Sequence, residues 1–308
     1  MSALARSAQD YLGMRRSVGY ALRQEGRMLA DFVGYCERRG LTRVATEAAL
    51  GWATEPSSAS PTWWATRLAV VRGFAAHLKT VEADTEVPPK GLLPSRASRL
   101  TPYLFSSAEI TALMVAARAL AHPLRAASFE ALIGLMAITG LRTGEAMALD
   151  RADVDLEEGM LTVWRSKLGK SRQVPLHETT TAALTAYAAR RDELCPRPAT
   201  PSFLLSGGGT RLNHTNTSTT FAGLLEAAGI ATPPGRRRPR LYDLRHSFAV
   251  ATLVAWHAEG ADVQTRLPVL STWMGHVKPS TTYWYLQAAP QLLAVTALRL
   301  ERYLQGQP

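Results

Sequence analysis

The sequence predicts a mainly α-helical protein with a small antiparallel β-sheet, arranged as two domains. Apolar residues recur at helical spacing through most of the chain, whereas a short stretch near its middle has the pattern of a β-hairpin. A proline-rich segment separates the first ninety residues from the rest. A chain of 308 residues has room for two hydrophobic cores.

Residues 1–90 are predicted to form an all-helical domain. Apolar residues recur at the spacing of one helical face over residues 14–39 and again over residues 63–78. No helix can run through residues 86–102, which contain prolines, a glycine and several basic residues. We therefore predict an interdomain linker at residues 91–102.

Residues 103–308 are predicted to form a mixed α+β domain that is mostly helical. We expect a helix that is capped by Ser106 or Ser107 and runs to Leu120, and a second helix from about Leu124 to Ile138 that ends at Gly140. A hairpin of residues 160–165 and 172–176 should follow. The rest is expected to be a helix to about Arg191 and further helices, the last of them at residues 291–304.

Composition favours a polyanionic partner without proving one. The chain has 35 Lys and Arg against 25 Asp and Glu, and arginine pairs well with phosphate, but a generic basic surface explains the charge equally well. Cys36 and Cys195 lack any disulfide or zinc-ligand pattern, so we expect no metal, no cofactor and a cytoplasmic location. The longest apolar run, residues 131–141, is too short for a membrane span.

Two segments place an arginine near a helix terminus. Arg142 follows the glycine that ends one helix and precedes the next, with Glu145 beside it. Asp243 is predicted to cap a helix whose first turns carry Arg245 and His246. A guanidinium at such a position can bind a phosphate oxygen, although the Arg142 segment alone is more typical of a surface arginine paired with Glu145, and the Arg245 segment alone is equally typical of an ordinary surface.

Two further segments supply a lysine and a tyrosine. Lys167 and Lys170 lie on the hairpin tip, where an ammonium group can protonate a leaving oxygen. A Gly-His pair at His276 precedes Tyr285 by nine residues, and Tyr283 lies two residues before it. Each segment alone is more typical of a solvated turn or of aromatic packing.

Taken together and in order, these segments resemble the catalytic domain of the tyrosine recombinases, the phage integrase family that includes XerC- and XerD-like enzymes. The resemblance covers about residues 103–290, where a Thr-Gly-Leu-Arg turn, a hairpin lysine, a Leu-Arg-His, a Gly-His and a tyrosine follow one another. The first ninety residues resemble the family's helical, SAM-like core-binding domain only in length, helicity and position.

The resemblance implies a role for each of these residues. Tyr285 is the expected nucleophile, and the spacing from His276 favours it over Tyr283. The other expected catalytic residues are Arg142, Lys167, Arg245 and His276, with Glu145 and Asp243 in support, and the expected DNA contacts are Lys170, Arg172, His246, Arg96 and Arg99. Tyr242 departs from the pattern, because the family usually has histidine three residues before the second arginine.

The implied function is site-specific recombination of double-stranded DNA through a 3′-phosphotyrosyl intermediate, in integration, transposition or resolution. Dimers on each site and a tetrameric synapse, with or without sibling recombinases, are the implied assemblies. The helix at residues 291–304 is expected either to exchange between protomers or to pack on its own domain. Two alternatives stay open: an enzyme like type IB topoisomerases, and a non-catalytic DNA-binding accessory protein, which only Tyr242 supports.

Overall fold

A computed structural model describes residues 2–94, 102–164, 171–276, 282, 283 and 285 of the chain. The chain divides into two compact units, Met1–Leu100 and Thr101–Pro308. The described residues form many helices and a three-stranded antiparallel sheet, which confirms the predicted fold class. No helix in these ranges is long and apolar enough to cross a membrane.

The first unit is a cluster of helices around an apolar core. Its elements are α1 (Ala3–Ser17), α2 (Arg23–Arg38), α3 (Thr46–Thr54) and α4 (Pro61–Leu78). Trp52 is fully buried and meets Phe32 edge-on at 5.3 Å between ring centroids. The Arg67 guanidinium lies 3.9 Å from the Trp52 ring centroid, and Asp31 accepts the indole N–H, so the polar edge of the tryptophan is satisfied.

The prediction of continuous helical structure over residues 14–39 is wrong at one point, because the chain leaves the helical conformation between α1 and α2. The amides of Gly19 and Tyr20 turn back to the carbonyls of Arg16 and Arg15, at 3.0 and 3.2 Å. These bonds satisfy the last carbonyls of α1 and end it. Apolar periodicity could not reveal this break, because the apolar residues Met14, Val18 and Tyr20 continue the sequence pattern although all three are exposed.

The start of the proline-rich segment packs against the first unit. Arg72 donates to the carbonyls of Pro88 and Pro89, at 2.7 and 2.9 Å, and Leu93 packs against the helical core. Residues 95–101, which include Arg96 and Arg99, lie outside the described residues. The linker at residues 91–102 therefore remains a prediction.

The second unit is built on helices whose ends follow the predicted signals. Ser106 caps the first of them in a capping box with Glu109, and Gly140 ends the second in a left-handed conformation, with φ of 61°. The helices are α5 (Ser107–Arg118), α6 (Pro123–Thr139), α7 (Thr143–Ala148), α8 (Glu178–Leu194), α9 (His214–Ala227), α10 (Asp243–Ala258) and α11 (Val263–Trp273).

A small antiparallel sheet follows α7 and a 3₁₀ turn at Arg151–Asp153. Strand β2 (Met160–Val163) pairs with β3 (Arg172–Pro175), which confirms the predicted hairpin, and β1 (Val154–Asp155) adds a third strand on the other side of β2. The sequence analysis missed β1, since a two-residue strand is too short to show alternation. Lys167 and Lys170 lie outside the described residues, so nothing is concluded about their position.

Helix α6 lies at the centre of the second unit. Phe129, Leu132 and Met136 on this helix are buried in the larger apolar cluster, which also takes in side chains of the sheet. A smaller cluster joins α10 and α11 and includes Tyr285. The carboxyl end of α6 and the start of α10 are thereby held close together.

We predict that Gly140→Ala destabilises the second unit more than Gly229→Ala. Both glycines have a positive φ, 61° and 68°, so each alanine costs about 1–2 kcal/mol for the left-handed backbone. A Cβ at Gly140 would also lie 2.3 Å from Cδ1 of Phe248, whereas one at Gly229 meets nothing within 4 Å. This overlap with Phe248 should add about 1–3 kcal/mol to the destabilisation caused by Gly140→Ala.

Chemical denaturation of the two variants and the parent chain measures this difference. Equal losses of unfolding free energy in the two variants would show that Phe248 does not restrict the turn at Gly140.

Candidate active site

Arg245 is the most deeply buried cation of the candidate site. It lies in the first turn of α10 with no exposed surface, and its Nη1 and Nη2 donate to the carbonyls of Gly140 at 2.5 Å and Met274 at 2.7 Å. Neither acceptor carries a charge. Burial, followed by the charge of the nearby Arg142 guanidinium, lowers the pKa of Arg245.

Arg142 reaches the same place from the turn between α6 and α7. Its Nη2 donates to the carbonyl of Gly275 at 2.6 Å, next to the Met274 carbonyl that binds Arg245. The two arginines, far apart in sequence, thus hold successive carbonyls of one turn at the end of α11. Their guanidinium groups are close enough for Arg142 to lower the pKa of Arg245.

Glu145 is the carboxylate that holds two of the site's cations. Its Oε1 lies 2.5 Å from Nη1 of Arg142, and its Oε2 lies 2.7 Å from Nη2 of Arg172. The Glu145 side chain is only 8% exposed, yet the hydrogen bonds and charges of Arg172 and Arg142 outweigh its burial and lower its pKa. Glu145 is therefore ionised and orients both guanidinium groups.

Arg172 is committed to the framework of this site. Besides its contacts with Glu145, its Nε donates to the carbonyl of Trp273 at 2.7 Å, and its side chain is 10% exposed. A Cβ at Gly275 would lie 2.7 Å from Nη1 of Arg172 and 3.3 Å from Nη1 of Arg142. A residue without a side chain is needed there because two guanidinium groups pack against its backbone.

Tyr285 lies beside these arginines. It is 2% exposed, in the small apolar cluster with α10 and α11, and its hydroxyl lies 3.0 Å from Nδ1 of His246. Burial raises the pKa of Tyr285 to about 12, while the nearby Arg245 guanidinium opposes that rise. The phenol is therefore protonated at neutral pH and must lose its proton to act as a nucleophile.

His276 stacks on the predicted nucleophile. Its ring lies 6.3 Å from the Tyr285 ring between centroids, and its Nδ1 lies 2.8 Å from the Thr282 hydroxyl. Burial, followed by the charges of Arg245 and Arg142, lowers the pKa of His276 to about 3. The imidazole is therefore neutral, and if the Thr282 hydroxyl donates to Nδ1, the other nitrogen carries a hydrogen.

Asp243 does not cap α10 as predicted. Tyr242 occupies the N-cap position, and the fully buried Asp243 carboxylate points back along the chain. It accepts the backbone N–H of Arg240 at 2.8 Å and a guanidinium N–H of Arg237 at 2.8 Å. The cap prediction failed because this preceding arginine-rich segment, residues 236–240, supplies stronger partners than the helix amides.

The Tyr242 side chain lies on the outer side of the site. Its ring meets that of His246 edge-on at 5.2 Å between centroids. It also lines a cleft of about 590 Å³ that opens beside the arginines. Other residues lining this cleft are Arg142, Gly144, His214, Arg238 and Arg240.

Comparison with known proteins identifies the family. The model of the phage integrase family matches residues 104–291, which is more than half of the chain. The chain belongs to the phage integrase family. The resemblance to tyrosine recombinases noted from its motifs is thereby confirmed.

Relatives of this integrase-family chain extend over both units. The putative integrase/recombinase y4rB of Sinorhizobium fredii is 41% identical over 308 residues, 98% of each chain. The tyrosine recombinase XerD of Bifidobacterium longum is 31% identical over 300 residues, 91% of this chain and 88% of that protein.

Solved structures share the fold of the integrase-family chain. The XerH recombinase bound to palindromic difH substrate, in a post-cleavage complex, has a TM-score of 0.65 at 19% identity over 89% of this chain and 78% of that one. The Tn1549 transposon integrase in complex with circular intermediate DNA has a TM-score of 0.64 at 16% identity over 91% and 94% of the two chains.

The structure brings together most of the residues predicted from the sequence of this integrase. Arg142, Arg245, His276 and Tyr285 meet at one place, with Glu145 beneath the first arginine. Sequence reasoning missed the Asp243 partners Arg237 and Arg240, although the run of arginines just before Tyr242 was a visible signal. It also missed Trp273, whose indole donates to the Thr139 carbonyl at 2.8 Å.

We predict that Glu145→Gln lowers the free energy of unfolding at pH 7 by about 3 kcal/mol, because two buried guanidinium groups lose their counter-charge. The carboxyl pKa is lowered from its ordinary 4.5, so its stabilisation is complete above that pH and is lost as the pH falls below it. The difference between variant and parent should therefore shrink below about pH 4.

Glu193→Gln is the matched control, since Glu193 also pairs with an arginine three residues before it but is 66% exposed. Glu193→Gln should lower the free energy of unfolding by no more than about 1 kcal/mol at every pH. Denaturant titrations of both variants from pH 3 to 8 make the comparison, and equal losses at pH 7 would contradict the framework role of Glu145.

Proposed function

We propose that this integrase-family chain is a site-specific recombinase that cuts and rejoins DNA strands, with Tyr285 becoming joined to the 3′ phosphate. The convergence of Arg142, Arg245 and Tyr285 supports these residue roles. Two cations and a hydroxyl from separate segments around one space are what attack on a phosphodiester requires.

The buried charge of Arg245 points to an anionic substrate. Its described acceptors are neutral carbonyls, and its Nε is buried without a hydrogen-bond partner among the described residues. A buried cation is costly unless an anion approaches it. A phosphodiester gains negative charge on its non-bridging oxygens during attack, so Arg245 and Arg142 stabilise the transition state more than the ground state.

Proton transfers complete the proposed reaction. The bond from Tyr285 to phosphorus forms as the bond to the 5′ oxygen breaks, and the family resemblance gives Lys167 the role of protonating that oxygen. The neutral His276 imidazole donates a hydrogen bond to a phosphate oxygen. One phosphodiester replaces another, so strand exchange proceeds without an external energy source.

The cleft beside Tyr242 is the proposed route of the scissile phosphate. Tyr285 is 2% exposed, whereas Arg142 and Tyr242 both line the cleft of about 590 Å³. A phosphate that enters past Arg238 and Arg240 meets positive charge along its way to Arg142. Arg172 supports this path by fixing Glu145, so we now assign it a positioning role in place of direct DNA contact.

Recombination accounts for the observations better than the two alternatives. The family match and the relatives named integrase/recombinase and XerD favour recombination over simple relaxation of supercoils. A non-catalytic DNA-binding protein has no need of a tyrosine held against a buried arginine. Tyr242 cannot supply the positive charge of a protonated histidine, but it leaves both arginines and Tyr285 in place.

The proposed assembly is a dimer on each DNA site and a tetramer in the synapse, with or without sibling recombinases. Strand exchange between two duplexes needs four nucleophiles, one from each protomer. Residues 291–304, which carry many leucines and lie outside the described residues, either join neighbouring protomers or pack on their own unit. We also infer a cytoplasmic location, where DNA substrates occur.

We predict that the parent chain and Tyr283→Phe form a covalent adduct with a nicked suicide substrate, whereas Tyr285→Phe forms none. Tyr283 is 42% exposed, and among the described residues its hydroxyl makes only a long contact of 3.4 Å with Gln264, so it serves as the matched control. Duplexes tiled across the DNA that flanks the gene are the substrates, and denaturing gels detect the adduct.

If Tyr285→Phe still forms the adduct and Tyr283→Phe does not, the nucleophile is Tyr283 and not Tyr285. Failure of the parent chain to form an adduct on any of these duplexes would count against catalysis itself.

A further inference from the structure

His246 is the nearest imidazole to the hydroxyl of the proposed nucleophile. Its Nδ1 lies 3.0 Å from the Tyr285 hydroxyl oxygen, which is hydrogen-bonding distance. His246 follows Arg245 on α10, and its side chain is 14% exposed. A residue so enclosed is poorly placed to touch a DNA groove, which was its predicted role.

The partners of the phenol indicate the direction of this hydrogen bond. The Arg245 guanidinium, which can only donate, lies near the phenol and lowers the pKa of Tyr285, so the phenol oxygen is oriented to receive positive charge on that side. A phenol has one proton of its own, and Nδ1 of His246 lies at the right distance to accept it.

Asp243 favours the tautomer of His246 with hydrogen on Nε2, which leaves Nδ1 able to accept the phenol proton. Its carboxylate oxygen lies 4.0 Å from Nε2 of His246, on the opposite side of the ring from Tyr285. A carboxylate can only accept or attract positive charge, so it favours a hydrogen on Nε2. Arg237 and the amide of Arg240 hold this carboxylate in place. Nδ1 is then left as an acceptor.

We propose that His246 is a catalytic residue that accepts the phenol proton of Tyr285 during strand cleavage, an inference that rests on the proposed recombinase function. The Tyr285 oxygen forms its bond to phosphorus, the bond from phosphorus to the 5′ oxygen breaks, and the phenol proton passes to Nδ1. When the 5′ hydroxyl attacks in rejoining, His246 returns the proton to the departing phenol oxygen.

The surroundings of His246 suit a base that is neutral before the reaction and charged after it. Burial lowers the pKa of His246 to about 4, although Asp243 opposes this, so the imidazole is uncharged at neutral pH. Asp243 then stabilises the imidazolium that forms. Among the described residues, the charged or titratable groups that face the ring are Asp243, Arg245, Arg237, Arg240, Tyr242, Tyr285 and His276.

The proposal also accounts for Tyr242. This residue stands where the family usually has histidine, and its ring meets the His246 ring edge-on at 5.2 Å. The chain thus brings an imidazole to Tyr285 from the following helical turn, and the Tyr242 ring limits the rotation of that imidazole.

The test is His246→Asn, since the asparagine oxygen can take the place of Nδ1 but cannot hold a transferred proton. Adduct formation is timed on the nicked duplex that the parent chain cleaves, at pH values from 6 to 9, and affinity is measured by gel shift. We expect cleavage at pH 7 to fall about 100-fold with affinity nearly unchanged. The residual rate should rise about tenfold per pH unit, because the small tyrosinate fraction must now react, whereas the parent rate stays flat.

His257→Asn is the matched control, because His257 lies on the same helix α10 about three turns beyond His246, and we expect parent-like cleavage. Parent-like cleavage by His246→Asn, an equal loss at all pH values, or a loss that follows weaker DNA binding would overturn the role of His246. Absence of an adduct with the parent chain would instead refute the proposed function on which the inference rests.

A measurement on the parent chain alone keeps the proposal testable if His246→Asn does not fold. Long-range ¹⁵N–¹³C NMR correlations of the histidine rings distinguish the two neutral tautomers, with Tyr285→Phe used to assign His246. We expect the form with hydrogen on Nε2. The form with hydrogen on Nδ1 would make His246 a donor to Tyr285 and would overturn the proposal.

Discussion

The second unit depends on a concentration of positive charge that the fold holds in place with few negative groups. Arg142, Arg172 and Arg245 lie around the turn that ends α11, and Glu145 is the carboxylate that pairs with the first two. Among the described residues, the hydrogen-bond acceptors of Arg245 are backbone carbonyls. Such an arrangement destabilises a protein with no ligand and stabilises one that binds an anion.

Helix ends supply the carbonyls that make this arrangement possible. Gly140 ends α6, and Met274 and Gly275 follow α11, so their carbonyl groups have no partner in the helices and point at the guanidinium groups. The Trp273 indole ties these two helix ends together through the Thr139 carbonyl. The same turns therefore end the helices, position the cations and exclude larger side chains at both glycines.

The chemistry expected of the site follows from this positioning. The two arginines offer their charges to a phosphate, while burial keeps Tyr285 and the neighbouring histidines uncharged until a proton moves. Asp243 is fully buried as well, and its carboxylate is held by Arg237 and faces Nε2 of His246. In the proposed reaction this carboxylate stabilises the positive charge that forms on His246 when the proton leaves the attacking oxygen.

Much of the fold was predictable from the sequence because local signals decide it. Ser106 and Gly140 mark helix ends by their own backbone preferences, and the motif arginines were found by order and spacing. The break after Ser17 escaped prediction because apolar residues such as Val18 and Tyr20 continue the sequence pattern although they are exposed at the turn. The roles of Arg172 and Asp243 depend on which distant carboxylate or guanidinium packs against them, and no local pattern records that.

The central claim is that Arg142, Arg245 and Tyr285 share one DNA phosphate. A crystal structure of the chain trapped on its suicide substrate tests it most directly. The account predicts a phosphorus atom joined to Tyr285, with non-bridging oxygens that accept hydrogen bonds from both guanidinium groups. A phosphate joined to another residue, or joined to Tyr285 but in contact with neither arginine, would contradict it.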